Sequence, residues 1–268
     1  NWDEVLQRVA EALQRELPGV DSDGCDLPIQ ENKKQSSKLL AEHTSLEQQA
    51  ALFIRQGKYR EAEAIYREII AAGTNNHVVY GNLAAICGTQ GRFDELIGLL
   101  NKALALNPNS PEAHNNLANA LKAKGNLDAA IDSYNKALKL NPDYPKAHNN
   151  LGNALQERGD LSAAIACYGK ALDLKPDFSE AYNNLGAALQ GAANLSAAIA
   201  SYAKALAIKP DYPDAQLNLS MAELLTGDYQ SGWERYEYRF QVKDGHGILN
   251  ANPQCSCWNG TDFRPNEK

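Results

Sequence analysis

From Pro111 to Tyr144 the apolar residues come in two bursts at helical spacing. The first is Ala113, Leu117, Ala118 and Leu121; the second is Leu127, Ala130, Ile131, Tyr134, Ala137 and Leu138. Recurrence at three and four residues predicts one amphipathic helix for each burst. Gly125 lies between them, where a glycine ends a helix. Asn126 follows as a candidate N-cap for the second helix. The same pattern returns every 34 residues. Leu83, Leu117, Leu151, Leu185 and Leu219 share one slot; Ala103, Ala137, Ala171 and Ala205 share another; Tyr134, Tyr168, Tyr202 and Tyr236 a third; Pro108, Pro142, Pro176 and Pro210 a fourth. Gly57, Gly91, Gly125, Gly159 and Gly227 hold the mid-repeat slot, with Ala193 replacing glycine once. Asp160, Asn194 and Asp228 repeat the cap of Asn126, and Pro111, Pro145 and Pro213 stand where a first helix begins and proline is tolerated.

These periods delimit six helix hairpins: 43–76, 77–110, 111–144, 145–178, 179–212 and an atypical 213–246. Thr74 replaces the terminal proline in the first. Glu223, Gly232 and Arg239 replace the Leu, Ala and Ala of the third to fifth repeats in the sixth. Small residues recur where helices must approach closely: Ala118, Gly152 and Gly186 in one slot, Ala130, Ala164 and Ala198 in another. One such hairpin cannot bury its apolar face alone, so stacking of neighbours must supply the core. Around this array (38–246), residues 1–17 read as an amphipathic helix with Trp2, Leu6, Val9, Leu13 and Leu17 on one face. Residues 18–37 read as a polar linker and 247–268 as an irregular tail.

A 34-residue helix pair with Leu-Gly/Ala, a mid-repeat Gly, then Ala, Tyr, Ala-Leu and Pro resembles the tetratricopeptide repeat (TPR). The six copies span about three quarters of the chain. The resemblance implies an all-α, right-handed superhelical solenoid of antiparallel helix pairs. It also implies that the second, fifth, sixth, ninth, twelfth and thirteenth slots of each repeat face a concave groove. The aromatic-rich stretch Leu224–Phe240 and the later Cys257–Gly260 are similar to the exit segment of bacterial TPR proteins that continue into a heptosyltransferase-like glycosyltransferase. In that reading a catalytic domain follows Lys268.

Composition narrows the chemistry. The chain is 44% hydrophobic and 22% charged, with a formal net charge of −7. This balance disfavours a phosphate-backbone partner, which needs a basic face, and adhesion to an anionic membrane. No apolar run is long enough to span a bilayer, and the N-terminus has none of the parts of a signal peptide. Five irregularly spaced cysteines, Cys25, Cys87, Cys167, Cys255 and Cys257, outline no disulfide framework and suit a reducing cytoplasm. No phosphate-binding loop, dinucleotide fingerprint, zinc-protease or nucleophile-elbow pattern is present. His114 and His148 share a slot held elsewhere by Tyr80 and Tyr182, which predicts a packing role rather than a metal site. Cys255 and Cys257 lack the second pair that a zinc site requires. The expectation is therefore no enzyme, no metal and no cofactor.

One polar pattern stands out against this background. The groove slots carry Asn82, Asn116, Asn150, Asn184 and Asn218 at the sixth position, Asn115, Asn149 and Asn183 at the fifth, and Asn119 and Asn153 at the ninth. Each carboxamide offers both donors and an acceptor, so a periodic row can bond the main chain of an extended peptide whatever its side chains. The row resembles the asparagine ladder of O-GlcNAc transferases, which grips substrate backbones. Groove charges are few and mixed (Arg55, Lys122 and Lys146 against Glu47, Glu112, Glu157, Glu180 and Asp214), which disfavours a clamp for a C-terminal carboxylate. The sequence thus predicts a module that binds a protein or extended peptide through these ten asparagines. Two alternatives stand beside it: the substrate-recruiting arm of a glycosyltransferase, and a scaffold that self-associates through residues 1–17.

Overall fold

The computed structural model describes residues 45–240. The expected N-terminal helix, the linker and the tail at 247–268, with Cys25, Cys255 and Cys257, lie outside the described residues. Everything described is helix or connecting turn, and no described helix is long and apolar enough to cross a membrane. The chain divides into two units after Thr74. In the first, α1 is helical over 45–55 and α2 spans Tyr59–Ala71. They join at Gly57, whose φ is 73°, and Ala50, Ala62, Tyr66 and Ile69 are buried.

The second unit holds five helix pairs: α3 (His77–Thr89) with α4 (Phe93–Leu106), α5 (Pro111–Ala123) with α6 (Leu127–Leu140), α7 (Pro145–Glu157) with α8 (Leu161–Leu174), α9 (Ser179–Gly191) with α10 (Leu195–Ile208), and α11 (Pro213–Thr226) with α12 (Tyr229–Tyr236). A short 3-10 turn, Glu237–Phe240, follows. This unit is an all-α superhelical array. Each second helix packs on its own first helix, and those from α4 to α10 also pack on the next repeat's first helix. The first helices of neighbouring repeats also touch (α5 with α7, α7 with α9, α9 with α11), whereas the second helices meet at most marginally. That asymmetry curves the stack and puts the first helices on its inner side.

Local chemistry explains the repeat. The mid-repeat glycines Gly91, Gly125, Gly159 and Gly227 all have positive φ, where a Cβ is penalised. The following side chain then caps the second helix: Asn126 accepts from the Ala129 amide, Asp160 from Ala163, Asn194 from Ala197 and Asp228 from Ser231. Ala193 adopts the same left-handed conformation, with φ 60°, and bears the Cβ cost the glycines avoid. Ala193→Gly is expected to stabilise the protein by about 1 kcal/mol, read as a higher urea midpoint at unchanged slope. An unmoved midpoint would show that the turn carries no strain.

The slot of Ala118, Gly152 and Gly186 is small because a tyrosine ring lies on it. A Cβ at Gly152 would sit 2.5 Å from the Tyr168 ring, and one at Gly186 would sit 2.6 Å from that of Tyr202. The departures of the sixth repeat also have partners. Glu223, almost buried, receives Arg235 Nε at 3.1 Å, and Arg235 Nη1 donates to Gln216. Gly232 leaves room for Leu224, which a Cβ there would meet at 2.7 Å.

Candidate functional site

The asparagines sort into three groups once the first helices are side by side. Those at the fifth slot were expected to face a ligand. Instead Asn115, Asn149 and Asn183 are only 5%, 1% and 8% exposed. Each accepts a hydrogen bond from the sixth-slot amide of the next repeat. Asn150 Nδ2 donates to Asn115 Oδ1 at 3.1 Å, Asn184 Nδ2 to Asn149 Oδ1 at 3.1 Å, and Asn218 Nδ2 to Asn183 Oδ1 at 3.0 Å. Asn149 Nδ2 also reaches Glu180 Oε1 at 3.1 Å. The reason is geometric. The fifth slot points toward the following first helix, and a buried amide there must be paired. Adjacent repeats are therefore stapled to one another by amide pairs.

The sixth-slot asparagines keep part of their capacity. Asn150, Asn184 and Asn218 are half-buried and each gives one N–H to the staple. A second N–H and the carbonyl oxygen remain on each. Asn82 is half-buried and Asn116 exposed. Asn116 differs from the rest because the slot that would hold its acceptor is Gly81. Its Nδ2 makes no hydrogen bond, and its Oδ1 receives only a long 3.5 Å contact from Asn115.

The ninth-slot residues act on the core. Asn119 accepts from the Tyr134 hydroxyl and Asn153 from that of Tyr168, while Gln156 and Gln190 accept from Tyr168 and Tyr202. Burial raises the phenols of Tyr134, Tyr168 and Tyr202 well above their ordinary range, with Glu157 adding to the effect at Tyr134. They stay protonated and act as donors at neutral pH. Burial, then Glu180 and Asp214, pushes Tyr212 up to about 12. The glutamines were not among the predicted residues, although their spacing of 12 before the tyrosine was visible in the sequence.

Little net charge interrupts the row, and Lys122 faces Glu157 across 3.9 Å. The histidines have local roles. His114 Nε2 lies 3.0 Å from the Pro108 carbonyl and His148 Nε2 2.9 Å from that of Pro142, so each ring donates to the turn that enters its helix. No group of His, Cys, Asp and Glu suited to a metal ion occurs among the described residues. Cys87 is buried and Cys167 partly buried, neither in a disulfide, and burial raises the pKa of the Cys167 thiol.

Comparisons with known proteins agree with this architecture. A family model described as TPR repeat matches residues 118–159 and 152–191, and three described as tetratricopeptide repeat match 48–111, 99–132 and 179–212. No curated protein matches the chain. Among solved structures, MamA is 28% identical, with a TM-score of 0.56, over 60% of this chain and 94% of its own. PilW, titled a type IV pilus biogenesis factor, is 22% identical with a TM-score of 0.68 over 77% of this chain and 95% of its own. YrrB, titled a TPR protein with an unusual peptide-binding site, is 19% identical with a TM-score of 0.53 over 68% of this chain and 93% of its own. At these identities PilW and YrrB bear on the fold alone.

Proposed function

Because this chain belongs to the tetratricopeptide-repeat family, a family of protein–protein interaction modules, we propose that it recognises an extended peptide or an extended segment of a partner protein along the inner face of its array. One observation carries the reading. Asn116, Asn150, Asn184 and Asn218 recur one repeat apart on the first helices, partly exposed, with polar atoms left over after the staples are made. Asn119 and Asn153 flank them, each with an amide nitrogen free of the tyrosine that binds its oxygen. Donors and acceptors so spaced suit a peptide main chain, and the near-neutral surroundings select neither a strongly acidic nor a basic ligand. The fifth-slot asparagines support the site indirectly, by holding the sixth-slot amides in register.

The test is site-resolved. Peptides selected on the full-length protein from a random display library should, when titrated, shift the side-chain amide NMR signals of Asn116, Asn150, Asn184 and Asn218. The exposed aliphatic row at the ends of the second helices, Leu106, Leu140, Leu174 and Ile208, should stay unperturbed. Shifts confined to that row would overturn the reading.

A further inference from the structure

The second repeat departs from its neighbours in a concerted way. Slot 24 is tyrosine in every other repeat (Tyr66, Tyr134, Tyr168, Tyr202 and Tyr236) but is Leu100 here. Slot 12 carries Gln156 and Gln190 in the fourth and fifth repeats, where each accepts from the tyrosine hydroxyl; here it is Gly88. The ninth slot, which holds the other tyrosine acceptors Asn119 and Asn153, is Ala85. The fifth slot, which elsewhere holds the staple acceptor, is Gly81. Ring, hydroxyl acceptors and staple are all missing together.

The result is a cavity of about 240 Å³ between α3, α4 and α5. Ala84, Leu96, Leu100 and Ala120 form its buried floor, and the exposed Ala85, Asn116 and Asn119 form its mouth on the groove side. The helices α3 and α5 make at most marginal contact, unlike the first-helix pairs that follow. Phe93 lines the cavity, and no charged residue does. At the rim both N–H groups of Asn116 are unused, since Gly81 provides no acceptor.

We infer that this cavity receives an aromatic side chain of the bound peptide, with the Asn116 amide donating to the main-chain carbonyl beside it. The inference rests on the groove reading above and names its specificity pocket. Two observations select the occupant. The space is bounded by slots 8 and 12, which meet the ring and the hydroxyl of a tyrosine in the fourth and fifth repeats, and by slot 24, which supplies that tyrosine there and is Leu100 here, so the ligand supplies the ring that this repeat lacks. The volume also exceeds the roughly 150 Å³ that accommodates benzene in an apolar cavity. The uncharged lining excludes a carboxylate or ammonium group as the anchor, because neither would find a counter-charge on desolvation.

The chain's own repeats suggest the test. Leu100→Tyr places a tyrosine where the other repeats have one and fills the pocket from within. Ala85→Asn restores the ninth-slot residue of the third and fourth repeats at an exposed position, narrowing the mouth with little risk to folding. A random peptide display library is selected on the full-length wild-type protein, and the affinities of the enriched peptides are then measured on both variants. Enriched peptides should carry an aromatic residue at one fixed position. Replacing it with alanine should weaken binding about 10- to 100-fold, and both protein variants should show a loss of that order. Enrichment without an aromatic position, or with an aliphatic anchor, would overturn the pocket assignment while leaving groove recognition intact. So would undiminished binding to Ala85→Asn together with a folded Leu100→Tyr. Failure to enrich any peptide would overturn the groove reading and this assignment with it.

Discussion

Tyr168→Ala should destabilise the array by about 3–5 kcal/mol, the range for truncating a buried aromatic side chain. The Tyr168 ring is fully buried. It lies on the backbone of Gly152, where not even a Cβ fits beneath it, and its hydroxyl bonds Asn153 and Gln156. Truncation opens a cavity between α7 and α8 and leaves two amide oxygens to find other partners. The loss should be local in a solenoid, because each repeat contacts only its neighbours. Hydrogen exchange should therefore accelerate most in α7 and α8, ahead of global unfolding. Gly152→Val offers the complementary test. Alone it forces the ring aside and should cost about 1–3 kcal/mol. Combined with Tyr168→Ala the two costs should sum to clearly less than their separate values, since the new methyls enter the vacated space. A loss below about 1 kcal/mol for Tyr168→Ala would refute the ring-on-glycine account of the core.

The second large effect separates staple from ligand contact. Asn184→Ala should cost about 1–3 kcal/mol, because it strands the oxygen of Asn149, which is 1% exposed. Asn116→Ala removes an amide of the same slot and the same predicted role, yet should stay within about 0.5 kcal/mol of wild type, because its Nδ2 holds no neighbour. Paired urea titrations decide the matter. Equal effects at the two positions would dissolve the distinction, and a neutral Asn184→Ala would show that the staple carries no stability. In the cycle with Asn149→Ala, the two losses should be non-additive, as expected for direct partners.

Much of the architecture was legible in the chain. The two apolar bursts gave α5 and α6, and the 34-residue period gave their copies. Asn126, Asp160, Asn194 and Asp228 cap as expected, and the mid-repeat glycines turn as expected, because a cap and a left-handed residue depend only on the few residues around them. The drift of the sixth repeat was visible but not its cause, since Glu223 and Arg235 meet only when α12 folds back on α11.

The groove was legible as a set of slots and illegible as a set of roles. "Asn-Asn" reads the same at 115–116, 149–150 and 183–184, and nothing within one repeat says which amide is buried. Only the stacking of one first helix on the next decides it. That stacking pairs Asn150 with Asn115, Asn184 with Asn149 and Asn218 with Asn183, and buries each acceptor. The same holds for Leu100 and Gly81, two ordinary helix residues in sequence. Their meaning is a missing ring and a missing acceptor, which exist only relative to neighbouring helices. Periodicity by itself determined the helices, their caps and their repeat. Long-range packing, where one amide's partner lies 35 residues away, decided which polar groups build the array and which are left to meet a ligand.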